Sequence, residues 1–154
     1  MLNKERIYAL AREVGFSLCG VAKRRYLDVS HRHFDQWLTR GDGDGLEYMQ
    51  RNIEKRFDPS QLVEGAKTVI VCALNYRNPI TNGYAAEAHC KIASYACTID
   101  YHHTIKAMLH EMFARLREES PQLVGRAFVD SAPLAEKSWA VEAGLGWIGR
   151  QSLF

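Results

Sequence analysis

The sequence has no closely spaced cysteine pair, and this absence limits the metal centres that it can hold. Four of its 154 residues are cysteines, Cys19, Cys72, Cys90 and Cys97, and no two of them form a Cys-x-x-Cys motif. Iron–sulfur clusters and structural zinc sites are usually bound by cysteines at such short spacings. We therefore predict neither kind of centre within this chain, and no metal-ligating residues.

Long apolar runs are also missing. No stretch of the sequence reaches the roughly 18 consecutive apolar residues that a membrane-spanning helix needs. The first residues, Met1–Arg6, lead into an amphipathic pattern and not into the apolar core of a signal peptide. We expect a cytoplasmic, monomeric protein that makes no membrane contact and has no disulfide framework.

The sequence has no excess of charge of either sign. Its 20 lysines and arginines nearly balance 18 aspartates and glutamates, which gives no support for a nucleic-acid partner. Two small basic clusters, Lys23–Arg25 and Lys55–Arg56, are typical of solvated surfaces, although they could touch an RNA backbone. Apolar residues make up 47% of the chain, which is enough for the core of one domain over residues 1–154.

Hydrophobic periodicity predicts several helices and strands. The clearest strand is Thr68–Leu74, whose continuous apolar residues indicate burial on both faces. The longest helix is Tyr101–Glu118, with Asp100 as its N-cap, and a polar segment spans Ile80 to Ala88. The remaining predicted elements are helices at Asn3–Val14 (ended by Gly15), Ser30–Thr39 (capped by Ser30), Leu46–Asn52 and Leu134–Ala143, and strands at Phe16–Ala22 and Ala127–Val129. The elements predict an α/β or α+β domain.

The most informative stretch runs from Phe128 to Gly149, because it places one carboxyl group where a predicted strand meets a predicted helix. Asp130 ends the apolar strand, and Pro133 helps to start the helix. One interpretation of Asp130 is structural, since Asp and Ser are strongly favoured at helix starts and either Asp130 or Ser131 could cap this helix.

The other interpretation of Asp130 is a general acid. A carboxyl group that donates a proton near neutral pH needs burial or a nearby anion to raise its pKa from about 3.9. The apolar residue Phe128 and the aromatic side chains of Trp139 and Trp147 could provide such dry surroundings. The sequence alone leaves both interpretations open.

Two further motifs predict no binding site. The neighbours His102 and His103 point to different sides of a helix, so they cannot ligate one metal together. The glycines of Gly144-x-Gly146-x-x-Gly149 have the spacing of a dinucleotide-binding motif. They follow a helix and not a strand, so the geometry that cradles a phosphate is missing.

Several segments of the sequence share a characteristic order and spacing: Lys55-Arg56, Asp58-Pro59, Leu62-Val63, Gly65–Ile70, Asn75-Tyr76, Tyr95-Ala96, Asp100–His102, Val129–Pro133 and Ala143–Gly149. Taken together, they closely resemble the N-terminal catalytic domain of epoxyqueuosine reductase. Thr98 departs from the family pattern, which usually has glycine there.

The resemblance implies a fold and a set of cofactors. The expected fold is α+β, with a central mixed sheet flanked by helices, in the nitroreductase-like architecture that binds cobalamin. Members of the family continue into a ferredoxin-like region that binds two four-iron–four-sulfur clusters and receives electrons from a donor. This chain would then be the N-terminal catalytic and cobalamin-binding part of a longer enzyme, and inactive alone.

The resemblance also implies a reaction and its residues. Family members are oxidoreductases that convert epoxyqueuosine in tRNA to queuosine, removing the epoxide oxygen as water. Asp130 matches the proton donor that the family is proposed to use. The residues implied for the substrate are Asp100, Tyr101 and His102, and those implied for lining the cofactor are Asn75, Tyr95, Ser131 and Pro133.

Other functions remain open at this point. The chain could be a cobalamin-binding or trafficking module without reductive chemistry, or part of a related iron–sulfur reductase that acts on another substrate. A plain RNA-binding domain is a third possibility, and it predicts tRNA affinity that falls steeply with salt.

Overall fold

The computed structural model describes residues 2–77, 79, 83–84 and 89–154. The chain forms two compact units, the first from Met1–Leu18 and Cys72–Leu123 and the second from Cys19–Val71 and Val124–Phe154. The polar segment predicted for Ile80–Ala88 falls almost entirely outside the described residues. The prediction of one domain over residues 1–154 stays a prediction.

The described elements are helices, short 3-10 helices and two strands. In chain order they are α1 (Lys4–Val14), β1 (Leu18–Lys23), α2 (Asp28–Thr39), a 3-10 helix (Glu47–Gln50), α3 (Ile53–Phe57), a 3-10 helix (Pro59–Gln61), β2 (Thr68–Ala73), a 3-10 helix (Ser94–Cys97), α4 (Tyr101–Glu119) and α5 (Glu136–Glu142). Among these residues no helix is long and apolar enough to cross a membrane.

The first unit is built on the packing of α1 against α4. Helix α1 is capped by Asn3, whose side chain accepts a hydrogen bond from the Arg6 N–H at 2.8 Å. It ends as predicted at Gly15, whose φ of 107° lies in the left-handed region that glycine adopts without a steric penalty. The buried residues at this packing are Ile7, Leu10 and Ala11 of α1 and Met112 and Leu116 of α4.

The two strands lie mainly in the second unit and form one sheet. They run antiparallel, because Ser17 pairs with Ala73 at one end and Arg24 with Lys67 at the other, each through a backbone hydrogen bond of 2.9 Å. At Gly20 of β1 an added Cβ would lie 2.6 Å from the carbonyl oxygen of Ala143. Glycine therefore lets the end of α5 approach the strand closely.

The core of the second unit surrounds Trp139 of α5. This side chain is 0% exposed, and it packs with Ala22, Leu27 and Phe57, which are also buried. The residues of this cluster come from β1, from the start of α2, from α3 and from α5, so burial of one aromatic side chain joins four segments of the chain. Helix α5 is fixed in the second unit by this packing.

A buried ion pair supports the same unit. Asp58 is 8% exposed, and both its carboxylate oxygens accept hydrogen bonds from the guanidinium of Arg24. Ser60 adds hydrogen bonds from its backbone N–H at 3.0 Å and its hydroxyl group at 2.8 Å. Burial alone would raise the pKa of Asp58, but the hydrogen bonds from Arg24 and Ser60 lower it below its usual value.

The region before α5 differs from the prediction. Residues Ala127–Val129 form no strand, and α5 begins at Glu136 and not at Leu134. The segment is short and has no partner strand among the described residues, so its apolar residues do not enter a sheet. A turn, in which the Leu134 N–H bonds to the Ala132 carbonyl group at 2.8 Å, delays the helix.

Two smaller predictions are also wrong. Strand β2, which was expected to be buried on both faces, is half-buried along most of its length. Helix α2 begins at Asp28, two residues before Ser30, and its N-cap residue Leu27 provides no side-chain hydrogen bond. Burial of Leu27 in the core fixes the start of α2 instead.

Candidate functional site

Asp130 lies in the loop between Val129, which is buried, and helix α5. Its φ of 49° places the backbone in the left-handed region, which costs a non-glycine residue on the order of 1 kcal/mol. Asp130 is exposed, so the dry surroundings predicted for its carboxyl group are wrong for this conformation. Trp147, one of the two tryptophans expected to shield it, is itself 80% exposed.

The loop of Asp130 is tied to α5 by a residue that the sequence analysis did not single out. The backbone N–H of Asp130 donates a hydrogen bond to Oε1 of Glu136 at 3.0 Å. Glu136 is the first residue of α5 and is half-buried. A glutamate in the first helical turn, six residues after the aspartate, was the available signal.

The helix-cap interpretation of Asp130 and Ser131 is wrong. The N-cap position of α5 is Ala135, which makes no side-chain hydrogen bond to the helix. The Ala135 N–H instead donates to the carbonyl oxygen of Arg56 in α3 at 2.9 Å. The carboxyl group of Asp130 is thus not engaged in capping α5.

A second cluster lies in the first unit, at the start of α4. The carboxylate of Asp100 accepts a hydrogen bond from the backbone N–H of His102 at 2.9 Å, which confirms the predicted N-cap. The same oxygen lies 2.8 Å from Nδ1 of the His102 ring. The backbone hydrogen bond, followed by the contact with the ring, lowers the pKa of Asp100 below its usual value.

Four aromatic rings continue this cluster, and we call them the aromatic row. The centroid of Tyr95 lies 6.2 Å from that of Tyr76 and 6.0 Å from that of Tyr101, both at nearly perpendicular angles. Tyr101 stacks on His102 at 4.1 Å. Tyr76 and Tyr95 are 64% and 51% exposed, so the row leaves aromatic surface for a ligand.

The predicted site residues therefore fall into two groups. In the first unit, Tyr101 contacts Tyr95 on one side and His102 on the other, and His102 contacts Asp100. Asn75 directly precedes Tyr76 of the aromatic row. The sequence analysis did not assign Tyr76 to a site, although an exposed tyrosine directly after a strand was a usable signal. In the second unit, Ser131 is exposed and Pro133 is half-buried, and both share the loop of Asp130.

A depression on the surface involves other residues than these two groups. A shallow depression on the second unit is lined by Asp35, Gln36, Thr39 and Arg40, none of which is a predicted site residue. Within the described part of the chain, no group of three His, Cys, Asp or Glu side chains is arranged to hold a metal ion.

Comparison with known proteins finds relatives that are named as reductases. The family model described as "Epoxyqueuosine reductase QueG, DUF1730" matches residues 56–131. An epoxyqueuosine reductase of Cyclobacterium marinum is 43% identical over 143 residues, which are 93% of this chain and 46% of the relative. One of Cellulophaga algicola is 39% identical over 150 residues, which are 97% of this chain and 48% of the relative. The chain thus spans about half the length of the relatives it matches.

Solved structures have the same fold. The epoxyqueuosine reductase of Streptococcus thermophilus matches 97% of this chain and 40% of its own with a TM-score of 0.83 and 25% identity. This match confirms the predicted α+β fold class.

Two more distant structures share the fold. One is an epoxyqueuosine reductase with an epoxyqueuosine-modified tRNA-Tyr stem loop (TM-score 0.82, 20% identity, 98% of this chain and 40% of that chain). The other is an epoxyqueuosine reductase from Bacillus subtilis (TM-score 0.77, 19% identity, the same coverage). Its catalytic loop, which is named after an aspartate, is swung out of the active site. The resemblance predicted from the sequence is confirmed, because nearly the whole chain is similar to about half the length of proteins named epoxyqueuosine reductases.

Proposed function

We propose that this chain is the cofactor- and substrate-binding part of a reductase that converts epoxyqueuosine in tRNA to queuosine. The observation that carries the proposal is the match of nearly the whole chain to relatives that are named epoxyqueuosine reductases. The reaction takes up two electrons and two protons, breaks both carbon–oxygen bonds of the epoxide and releases the oxygen as water. A tRNA substrate implies a cytoplasmic protein, which we take to act as a monomer.

Asp130 is the proton donor in this proposal. When the first carbon–oxygen bond of the epoxide breaks, the oxygen leaves as an alkoxide, which is a poor leaving group. A positioned acid that protonates this oxygen typically contributes ~10²–10⁴-fold to the rate. The carboxyl group of Asp130 is not used to cap α5, and its loop is held to the helix by Glu136.

The exposure of Asp130 fits an open state of its loop. A donor carboxyl group must be enclosed when it acts, because water would otherwise compete for the proton. The catalytic loop of the Bacillus subtilis reductase is swung out of the active site in its solved structure, which supports a mobile loop in the family. In this chain the exposed position of Asp130 corresponds to such an open state, and bound substrate closes it.

Cobalamin is the proposed cofactor, and the residues assigned to it suit a flat conjugated ring with amide side groups. Asn75 and Ser131 are exposed polar residues, Tyr95 is 51% exposed, and Pro133 is half-buried. Tyr95 offers aromatic surface to the ring, and Asn75 and Ser131 offer hydrogen bonds to amides. When bound, cobalamin would supply electrons to the epoxide carbon through its low-valent cobalt. We assign the two iron–sulfur clusters and the contact with an electron donor to the part of the relatives' length that this chain does not span.

The group at the start of α4 is the proposed contact with the substrate. Asp100 and His102 present hydrogen-bonding groups, and Tyr101 contributes a ring face beside them. Exposed aromatic rings bind unstacked nucleobases, which is how proteins usually recognise RNA loops. The complex of a related reductase with a modified tRNA stem loop supports an RNA partner for this chain.

The test is the turnover of Asp130→Asn in the complete gene product. Asparagine keeps the size of the side chain but cannot release a proton, so we expect the rate of queuosine formation to fall ~10²–10⁴-fold. Nucleosides from the product tRNA are counted by mass spectrometry, and cobalamin content is measured by absorbance. Asp44→Asn, at an exposed aspartate of the same unit, serves as the matched control. Normal turnover by Asp130→Asn with cobalamin bound would refute the acid assignment.

The same experiment separates the rival functions. A cobalamin-binding or trafficking module would retain the cofactor and form no queuosine even with Asp130 present. A related iron–sulfur reductase with another substrate would consume electrons without changing epoxyqueuosine. A plain RNA-binding domain would bind tRNA without cobalamin, and its affinity would fall steeply with salt.

A further inference from the structure

A hydrogen bond that bridges six residues joins the loop of Asp130 to helix α5. The backbone N–H of Asp130 donates to Oε1 of Glu136 at 3.0 Å. Because the acceptor is a carboxylate, the bond is of the charge-assisted kind, which is stronger than a bond to a neutral oxygen. The bond fixes the direction of the peptide group that carries Asp130.

Glu136 stands on a firmly seated helix. Three residues further along α5, Trp139 is fully buried in the core of the second unit. The Ala135 N–H bonds to the carbonyl oxygen of Arg56 at 2.9 Å, and Arg25 makes two hydrogen bonds to Glu142 at 2.6 and 2.9 Å. The helix that carries Glu136 is therefore anchored in the second unit, and Glu136 itself is half-buried.

Asp130, in contrast, is not held by burial. The residue is exposed, and only its neighbour Val129 is buried. Its φ of 49° is a conformation that L-residues adopt rarely, so the loop keeps it only if surrounding interactions favour it. The bond to Glu136 is an interaction of this kind.

We propose that Glu136 is the positioning residue for Asp130. Through the backbone N–H of Asp130, it ties the loop to helix α5, so that the carboxyl group of Asp130 reaches the substrate when the loop closes. Glu136 acts through Asp130 and does not itself touch the substrate. The role assigned to Asp130 rests on the proposed function, whereas the bond between Glu136 and the loop is independent of it.

The bond is tested by NMR on this chain. In Glu136→Ala, the amide proton of Asp130 should move upfield and exchange with solvent on the order of tenfold faster, since the loss of a hydrogen bond of this kind is worth about that factor. Glu136→Gln keeps a side-chain oxygen as acceptor and should restore most of the wild-type shift and exchange rate. Unchanged Trp139 signals establish that each variant is folded.

A matched control tests whether the loss of a negative charge in the first turn of a helix is enough to change the Asp130 amide. Glu5 is also a glutamate in the first turn of a helix, in this case α1 of the other unit, and its side chain is exposed. Glu5→Ala therefore removes the same kind of charge without removing the bond to Asp130. We expect it to leave the Asp130 amide unchanged. An Asp130 amide that is as shifted and as protected in Glu136→Ala as in wild type overturns the proposal.

Turnover by the complete gene product tests the positioning role. Misplacing a reacting group by about 1 Å can cost ~10²-fold, so Glu136→Ala should lower kcat by ~10–10²-fold with little change in KM, and Glu136→Gln should recover most of it. A freed amide with unchanged kcat overturns the positioning role. If Asp130→Asn is fully active, the proposed function of Asp130 fails, and the NMR result for Glu136 is unaffected; the two failures are thus distinguishable.

Discussion

At the scale of single residues, two aspartates show how differently a carboxyl group can be held. Asp58 is buried and is bound by Arg24 and Ser60 through several hydrogen bonds. Asp130 is exposed, and the constraint falls on its backbone through Glu136. The first arrangement stabilises the folded chain, and the second fixes the backbone of the loop that carries Asp130.

The ion pair of Asp58 makes stability depend on pH. Because folding lowers the pKa of Asp58 from about 3.8, its contribution is complete above pH ~4 and is lost as the pH falls through the lower folded value. Asp58→Asn should cost about 1.5–3 kcal/mol at pH 7, the usual value of hydrogen bonds to charged groups, and less at pH 3. Urea denaturation at both pH values measures the difference.

Asp44→Asn is again the control, because Asp44 is an exposed aspartate of a loop. It should change stability by less than about 0.5 kcal/mol at either pH. A cost of Asp58→Asn that is the same at pH 3 and pH 7 would show that the charge of Asp58 does not contribute as described.

At the scale of elements, the parts predicted correctly are those with local causes. Helices α1 and α4 have clear apolar periodicity, and their ends carry Asn3, Gly15 and Asp100, which act within one turn. The strand predicted at Ala127–Val129 depended on a partner strand, which no local pattern can supply. The start of α2 depended on burial of Leu27 in a core made by distant residues.

The candidate site divides along the same line. The cap at Asp100 and its neighbours Tyr101 and His102 were predictable, because they are adjacent in sequence. The place of Tyr76 in the aromatic row and the bond between Asp130 and Glu136 depend on tertiary structure. The dry surroundings expected for Asp130 were wrong, because the residue is exposed although apolar residues flank it in the sequence.

The cap of α4 gives a prediction at this scale. Asp100→Ala should lower the melting temperature by about 2–4 °C, because the His102 N–H loses its acceptor. Asp100→Asn should cost much less, because asparagine caps helices about as well as aspartate does. Thermal denaturation of both variants checks the prediction, and equal losses would contradict a capping role.

At the scale of the whole molecule, the chain forms two compact units. It spans about half the length of the relatives that it matches. The first unit carries the aromatic row and the Asp100 group, and the second carries the loop of Asp130. The central proposal is that this chain binds cobalamin and presents Asp130 to the substrate.

The binding of cobalamin by this chain, followed by its visible absorbance spectrum, tests that claim most directly. We predict a spectral change that saturates with added chain and an affinity that falls about tenfold in Tyr95→Ala, since stacking on one aromatic ring is worth ~1–3 kcal/mol. Tyr48→Ala, at a tyrosine that is 61% exposed in the second unit, should bind like wild type. The absence of any spectral change with the folded wild-type chain, or equal affinities of Tyr95→Ala and wild type, would contradict the account.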